Sequence, residues 1–587
     1  MPSQINFTAT GFEGLNATTG IESLGPVANS PSNVHLSVLE NGRTTQQGGA
    51  RIRNGFEKKA DLALGAAIDD METHPLFNCM FLKCDTRIYH TLNGTTFYAI
   101  GVTRTASEKD FFFPYRKDMF ATNQTDSGLR IAVSTVASVN VAGGTLNVRA
   151  GDGSNFGSSG TFYVRGIAVT YTGRSTDQLT GCTGLTAAMV AGDIVTETST
   201  PSGFPKGTCI CEISGSLVVG GVKANPTTLY WSEPSTPGSP ELAYSFPATY
   251  VKSMPSDITA LKSGNEVTLI GLKKGLQYSS GFDIETGVLE TTSLSTTHGV
   301  PGARCIAQMD DEFVILTNTG RVLPVAQTDA GFRVVQDLKD PKNDMDYPVQ
   351  GYVQKNVDRD SLSENFIHYD DGSRECSGVI RMKTGLTREF VYQRDINAWS
   401  NDTGKNFRCR TIFLGRTYAG DDSSSFIHLD SEGWLDNGIP IHFRAVTGLM
   451  RATKKGVTCD YLQNTFGGLL NATGQFYMRV LLDGNVVENK LYKAAPESND
   501  NDQSLRELRL MDVSAGVAIG GGQIGAELIG SGGDAVDAFQ FTVPYEFMGE
   551  AEVSQIEFES TDEATILEIR FFDLQAETEG ELLLQST

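Results

Sequence analysis

Short apolar runs rich in Val, Ile, Thr, Phe and Tyr recur along this chain, cut by Gly, Asn, Asp and Pro roughly every eight to twelve residues. Successive side chains of a strand face opposite sides, so the pattern predicts half-buried strands joined by turns, an all-β protein. Helical periodicity is scarce, and only 59–67 and 462–470 are expected to form short helices. Apolar runs at 97–101, 217–221, 267–271, 313–316, 365–369 and 412–415 are spaced, from the second onward, by roughly 45 to 52 residues. Each is followed by a turn and a second alternating run, as in Gly271-Leu-Lys-Lys-Gly-Leu-Gln-Tyr278 and Asn318-Thr-Gly-Arg-Val-Leu-Pro324. A unit of four short strands at this period is a β-propeller blade, which buries both faces only by packing among others around an axis. The expected fold is a propeller of about six or seven blades.

The interval from Phe97 to Leu217 is too long by about 70 residues for that period. The excess lies near 130–201, where Ser-, Thr- and Gly-rich turns separate strands at 144–148, 160–164 and 169–172. We read it as a small β domain inserted between strands, where long insertions are tolerated. Beyond about Pro440 the rhythm stops. Phe476, Met478, Val480 and Leu482 share one face of a strand, and Asp483-Gly484-Asn485 turns it into a hairpin with 486–492. Segment 497–503 reads as a polar loop and 516–533 as a long Gly-rich one. Strands return at 539–543, 553–558 and 566–574, the last two linked by Ser560-Thr561-Asp562-Glu563. The expected division is an N-terminal arm over 1–48, propeller over 49–129, the insert over 130–201, the remaining blades over 202–440, and an acidic β-sandwich-like domain over 441–587.

The chain has 587 residues, 47 Lys+Arg against 70 Asp+Glu, and a net charge of −23. An acidic balance argues against a basic nucleic-acid reader, whose phosphate contacts need clustered Lys and Arg. Residues 546–587 hold twelve of the acids and one Arg, which we read as the solvated face of a β domain. No stretch approaches the ~20 apolar residues of a membrane span. The start, Met1-Pro2-Ser3-Gln4-Ile5-Asn6, lacks the basic-then-apolar form of a secretory signal, so a soluble, cytosol-made protein is expected. Nine cysteines without a Cys-x-x-Cys pair read as buried and reduced, Cys209 and Cys211 sharing one strand face. The Asn-x-Ser/Thr sites at Asn6, Asn16, Asn93, Asn123, Asn401 and Asn471 carry little meaning without a secretion signal.

Catalytic constellations are absent from the sequence. None of the seven His residues has His-Glu-x-x-His spacing, and neither a Gly-x-Ser-x-Gly elbow nor a Walker loop occurs. Gly520 to Gly525 fits Gly-x-Gly-x-x-Gly without the strand and helix that give it meaning. Oxygen-rich clusters at Asn356/Asp358/Asp360, 340–346 and 499–502 lack the Gly and Glu of an EF-hand and read as solvated turns. Asp310-Asp311 and Asp370-Asp371-Gly372 fall where hairpin turns are expected, and adjacent strand residues face opposite ways, so neither is an acid–base pair. Trp231, in Leu229-Tyr-Trp-Ser-Glu-Pro234, reads as blade packing. No catalytic residue, metal ligand or cofactor site is nominated, and the protein is not expected to be an enzyme.

The segment Gly215-Ser-Leu-Val-Val-Gly220, followed by Asn225-Pro226 through Tyr230-Trp231-Ser232-Glu233-Pro234, resembles a phrase in tail proteins of tailed bacteriophages. Gly49-Ala-Arg-Ile-Arg-Asn-Gly-Phe56 resembles the lead into the first blade of the same group. The insert, from Ser159-Gly160-Thr161 through Val169–Gly173 to Leu179–Gly184, is similar to a small β module of phage virion proteins, and 429–438 also fits. Together these point to the tail nozzle, or tail tubular protein B-like, β-propeller group of short-tailed phages. The resemblance implies a structural virion protein of the tail, assembled in the host cytoplasm. It implies a ring of six copies beneath the portal and adaptor, contacts with tail fibres or spikes, and a channel that retains and then releases genomic DNA without binding it specifically. A channel of negative potential would let a duplex slide. Loops such as 516–533 would supply a gate. The other expectation is a β-propeller tail protein that binds or degrades glycans.

Overall fold

The computed structural model describes the chain except residues 1–2, 19–23, 25–30, 107, 235–243, 265–266, 284–285, 329–330, 337–340, 431–432, 452–457, 472–473, 497–507, 513–516, 522–537, 562–566 and 579–587. It is all-β. Tyr347–Asn356 is the one α-helix among the described residues, opened by Pro348 in its first turn. Among the described residues no helix is long and apolar enough to cross a membrane.

Neither expected helix forms: 59–67 ends a strand at Asp61 and continues without regular structure to 67, and 462–470 lies within a strand. Phe56–Asp61 pairs antiparallel with Phe426–Asp430 and completes a sheet whose other strands lie far along the chain. Cys459–Asn471 pairs on one side with Ala538–Ala551 and on the other with Leu567–Thr578. Gly467 and Gly468 weaken any helix there. A Cβ at Gly468 would run into the Glu568 carbonyl, so glycine lets the two backbones approach.

The centre of the fold is a β-propeller. Five blades stand as separate sheets, where six or seven were expected. The first is a four-stranded antiparallel meander from Ile68–His74 to Tyr98–Thr103. Three more run from Cys209–Ile213 to Val251–Ser253, from Ile258–Gly264 to Leu289–Ser295, and from Ile306–Met309 to Gly331–Val334. The fifth comprises Phe407–Phe413, Arg416–Asp421 and Phe426–Asp430, joined by Phe56–Asp61 and two short strands. The count differs because two further four-strand runs are hydrogen-bonded into larger sheets. One run is Phe111–Tyr115, Asp118–Thr122, Leu129–Asn140 and Ile194–Ser199, within a nine-stranded sheet. The other is Phe366–Asp370, Glu375–Arg381, Thr387–Gln393 and Ala398–Asp402, within the largest sheet.

First strands pack side by side. Ile68–His74 lies against Phe111–Tyr115, which lies against Cys209–Ile213, and so on through Ile258–Gly264, Ile306–Met309 and Phe366–Asp370 to Phe407–Phe413, which returns to Ile68–His74. The turn between first and second strands repeatedly holds a non-glycine residue at positive φ: Asn78, Arg116, Ser214, Asp310, Arg374 and Leu414. That is the geometry two strands of right-handed twist require of a tight hairpin.

Leu129–Asn140 is shared between two neighbourhoods. Its first half pairs with Asp118–Thr122 and Ile194–Ser199, and its far end pairs with Thr145–Val148. Phe156, Phe162, Val164, Val169 and Leu179 bury a separate small core over that far end.

The largest sheet closes on itself. Ser3–Leu15 runs antiparallel to Leu567–Thr578 and parallel to Ser32–Glu40, which in turn pairs with Arg444–Thr447. The hairpin read from the sequence is present: Gln475–Leu482 and Asn485–Pro496 pair around Asp483-Gly484, with Phe476, Met478, Val480 and Leu482 buried. Phe466 meets Phe476, Tyr492 and Phe558 in that core, mostly edge-on. The acidic C-terminal face is only partly solvated. Glu557 is buried and takes hydrogen bonds from Arg444 (2.6 Å) and Arg479 (3.1 Å), and buried Glu568 takes one from Arg570 (3.0 Å). The Gly-rich 516–533 segment lies outside the described residues except for a short strand, Val517–Gly521.

Candidate functional site

The residues just before the first strands converge on the propeller axis and line a cavity of about 820 Å³. Lys109 and Phe111, Thr208, Ile258 and Thr259, Pro301 to Ala303, Leu362 to Asn365, and Phe407 with Arg408 each come from a different unit of the ring. Thr259 is held by its hydroxyl, which donates to the Val300 carbonyl at 2.6 Å.

Charged groups wall this space and mostly close on one another. Arg381 reaches Glu364 at 2.8 Å and Asp422 at 2.5 Å. Arg408 reaches Asp69 at 3.2 Å and Asp422 at 3.7 Å. Buried Lys83 also pairs with Asp69. Asp70 accepts the Phe112 backbone N–H at 3.0 Å and pairs with Arg304, which lies 3.4 Å from Glu72. A β-bulge lies between Ile68 and Asp70, and three acids of this one short strand, Asp69, Asp70 and Glu72, meet Lys83, Arg304 and Arg408 without lining the cavity. Burial raises the Asp69 and Glu72 carboxyls above their usual range, against the pull of Lys83 and Arg304 respectively. Burial works against the Arg304 guanidinium too, but Asp70 and Glu72 outweigh it and hold the group firmly charged. Burial lowers the Lys262 ammonium, with Glu72 opposing.

A second concentration of charge lies between the Phe366–Asp402 strands, the closing blade and the N-terminal segment. Arg43 grips Asp402 through two bonds of 2.7 and 2.8 Å and Glu375 at 2.9 Å. Arg53 donates to Asp436 at 2.7 Å. Arg410 forks onto Glu389 at 2.6 and 2.9 Å and reaches Asp430 at 2.6 Å, where Lys405 also arrives at 2.9 Å. Burial opposes charge on Glu389, yet Arg410 and Lys405 hold it well below the usual carboxylate range; Arg43 and Lys405 lower Asp402 against the same opposition. These groups fill their space, leaving a void of only about 20 Å³. They form a structural lock between distant segments. A third space, of about 710 Å³, opens between the insert and its neighbour, beside Tyr163, Glu197 and Tyr244. Glu197 there accepts from Gly157 N–H (2.8 Å) and Tyr171 (2.9 Å), and burial raises its carboxyl.

The oxygen clusters singled out in the sequence do other work. Asp344 and Asp346 clamp buried Arg321 at 2.7 Å. Asp358 accepts from its own turn, at Asp360 N–H and Ser361. Residues 499–502 lie outside the described ones, as does most of 520–525. Asp310 sits in a left-handed turn and takes Tyr369 at 3.1 Å and Arg374 at 3.3 Å. Asp370 accepts from Gly372 N–H and Thr417. Trp231 is a packing residue, stacked on Tyr250 at 5.9 Å and touching Phe282. Among the described residues no three His, Cys, Asp or Glu converge as a metal site. Buried His74 and His90 and half-buried His368 are pushed down to about 4 by desolvation. The thiols of Cys84, Cys211, Cys305, Cys376 and Cys409 are pushed up to about 12 by burial. Lys109, Arg304 and Arg408 were missed by sequence reading; their only local signal is a charge in or just before an apolar first strand.

No family model matches the chain, and no curated protein does. Solved structures similar to it include Sqt1 from Chaetomium thermophilum, at 8% identity and TM-score 0.33 over 64% of this chain and 98% of that one. Sqt1 from Saccharomyces cerevisiae is similar at 9% identity and TM-score 0.33, over 64% and 97%. Hsv2 from Kluyveromyces lactis is similar at 11% identity and TM-score 0.24, over 58% and 98%. One Chaetomium structure holds Sqt1 bound to the N-terminus of ribosomal protein L10. These likenesses are too distant to assign a role. They do correct the sequence reading: the solved structures it resembles are fungal Sqt1 and Hsv2, where phage tail nozzles were expected. The tail-nozzle function, the virion location, the six-copy ring, the portal, adaptor and fibre contacts and the passage of genomic DNA are accordingly dropped, as is the glycan-acting tail protein. The physical reason lies in the phrases themselves. A strand ending at glycine, a turn, then Tyr-Trp-Ser is what a blade core needs: Trp231 fills it, and the Ser232 hydroxyl accepts the Leu217 N–H at 3.0 Å. Such phrases report propeller packing and not a virion role.

Proposed function

We propose that this protein is a non-catalytic recognition scaffold whose axial mouth receives a segment of a partner macromolecule. The observation that carries this is the axial cavity, large enough for a few side chains and assembled from the leading ends of successive ring units. Its carboxylates favour holding over chemistry. Glu364 and Asp422 in the lining are engaged by Arg381, and Asp422 by Arg408 as well, so neither carboxylate stands free to meet a substrate. The buried histidines with lowered pKa sit away from its lining. On this reading the ring has seven positions, the Phe111–Ser199 and Phe366–Asp402 runs being blades that share hydrogen bonds with added sheets. The unbroken packing of first strands and the repeated left-handed turn residue support that count.

Selection of a displayed random-peptide library on the intact protein tests the reading. Ser363 is exposed at the cavity edge, so Ser363→Trp narrows the mouth without disturbing a core. Selected peptides are expected to lose binding to S363W and to keep it on L386W, altered at a side chain outside the lining. Equal binding to both variants would overturn the assignment of the mouth.

A further inference from the structure

Asn-Gly occurs four times in this chain, at Asn41-Gly42, Asn54-Gly55, Asn93-Gly94 and Asn437-Gly438. A glycine nitrogen carries no side chain to crowd it, so it can reach the preceding carboxamide carbon unless the fold prevents it. At three of the pairs the fold does. Asn41 is buried, its amide nitrogen donates to Thr403 and to the His442 carbonyl at 2.8 Å each, and its oxygen accepts the Thr403 N–H at 2.8 Å. Gly55 is buried and spends its N–H on the Gly433 carbonyl at 3.0 Å. Gly94 is buried and spends its N–H on the Thr91 hydroxyl at 3.0 Å, while the Asn93 oxygen is turned onto the Thr95 and Thr96 N–H groups. Asn437 and Gly438 differ. Both are exposed, and neither the Gly438 N–H nor the Asn437 amide nitrogen has an acceptor among the described residues. A Cβ at Gly438 would meet nothing within 4 Å. The turn tops a hairpin of only two residues a strand, Leu435–Asp436 with Ile439–Pro440. Asn437 Oδ1 already accepts the Lys58 N–H at 3.3 Å, a donor aimed where negative charge develops on attack at the carboxamide carbon.

We propose that Asn437 is a site of self-modification, at which the chain deamidates through a cyclic imide and loosens its own ring closure. The Gly438 nitrogen gives its proton to solvent and attacks Cγ of Asn437, a neighbour within the same chain. The N–Cγ bond forms and the Cγ–Nδ2 bond breaks. The departing nitrogen takes up one proton and leaves as ammonia. Water then opens the imide at one of its two carbonyls. Attack at Cγ yields aspartate, and attack at the main-chain carbonyl yields isoaspartate, whose backbone runs through Cβ. Overall, asparagine and water become an acid and ammonia. Either product carries a new carboxylate next to Asp436, which Arg53 holds at 2.7 Å. Isoaspartate also lengthens the turn by a methylene. This turn clasps the strand that closes the ring: the Asn437 N–H donates to the Phe56 carbonyl at 2.6 Å, and Asp436 pairs with Phe56. Its hold on Phe56–Asp61 weakens as the product accumulates.

Incubation of the full chain in warm, mildly alkaline buffer, followed by tryptic peptide mass spectrometry, tests it. The peptide carrying Asn437 should gain about 1 Da, with isoaspartate among the products, about tenfold faster than the peptides carrying Asn41, Asn54 and Asn93. In denaturant the four sites should convert at similar rates, because the dipeptide is the same and the fold no longer sorts them. Hydrogen exchange over 56–61 should rise in step with conversion. Asn437→Gly suits the left-handed turn position and has no carboxamide, so its closing strand should stay protected over the same period. Conversion at Asn437 no faster than at Asn93 in the folded chain would overturn the site. Conversion that leaves exchange at 56–61 unchanged, or an N437G chain that loosens at the parent's rate, would overturn the effect on ring closure.

Discussion

Asp402→Asn isolates the energetic weight of the buried lock. The Asp402 side chain is fully buried, receives two bonds from Arg43 at 2.7 and 2.8 Å, and has Arg53 and Lys405 at 3.6 Å. Asparagine keeps the shape but turns one oxygen into an N–H donor facing a guanidinium donor. One of the two bonds is kept, the other becomes a donor–donor repulsion, and Arg43 and Arg53 remain buried with less compensation. Breaking one partner of a buried pair typically costs about 3–5 kcal/mol, far more than an exposed pair is worth. We expect D402N to lose about 3 kcal/mol or more in guanidinium unfolding. The fluorescence of Trp399 is the local reporter, buried three residues away in the same strand and donating to the Met345 carbonyl at 2.8 Å. The comparison variant is Glu57→Gln, which breaks the exposed pair with Lys59 and should cost under about 1 kcal/mol. If D402N and E57Q unfold at indistinguishable denaturant concentrations, the lock is decoration and the reasoning fails.

Three further outcomes follow from other features. His74, His90 and His368 are held neutral in the fold down to about pH 4, against an ordinary value of 6.5. Their folded values are depressed, so their contribution is complete above pH 6.5 and declines as pH falls toward 4; a melting series across that window should slope downward, and His368→Gln should flatten it. Gly55→Ala would drive a methyl group into the Leu435 backbone and should lower the melting temperature measurably, by several degrees, as judged by circular dichroism. Cys376 and Cys409 are buried with pKa pushed up to about 12, so iodoacetamide at pH 8 should label neither until denaturant is added, as read by peptide mass spectrometry.

The legible parts of this chain were those where local pattern and tertiary demand agree. The 476–482 face, the Asp483-Gly484 turn and the propeller period all follow from period-two alternation and turn chemistry, and all are present. Where a partner strand arrives from afar, local signals misled. The 59–67 stretch reads as helical in isolation, yet its start, Lys59 to Asp61, belongs to a strand because Phe426–Asp430 presents an unfilled edge. The blade count was obscured by sharing: Leu129–Asn140 serves the ring and the insert in one strand, so no boundary is written into it. The axial cations were invisible for another reason. Lys109, Arg304 and Arg408 lie about 100 to 300 residues apart, and only the ring brings them together.

Closing the last blade with Phe56–Asp61 has a consequence for biosynthesis. That strand leaves the ribosome roughly 370 residues before its partner Phe426–Asp430. At about 5–20 residues per second it waits on the order of 20 to 70 seconds with its backbone groups unpaired. Its alternatives during that interval are solvent, a holdase, or the edge of another nascent chain on the same polysome. Lys58 and Lys59, placed within the strand itself, are the gatekeepers that keep the last of these unfavourable until the ring can shut.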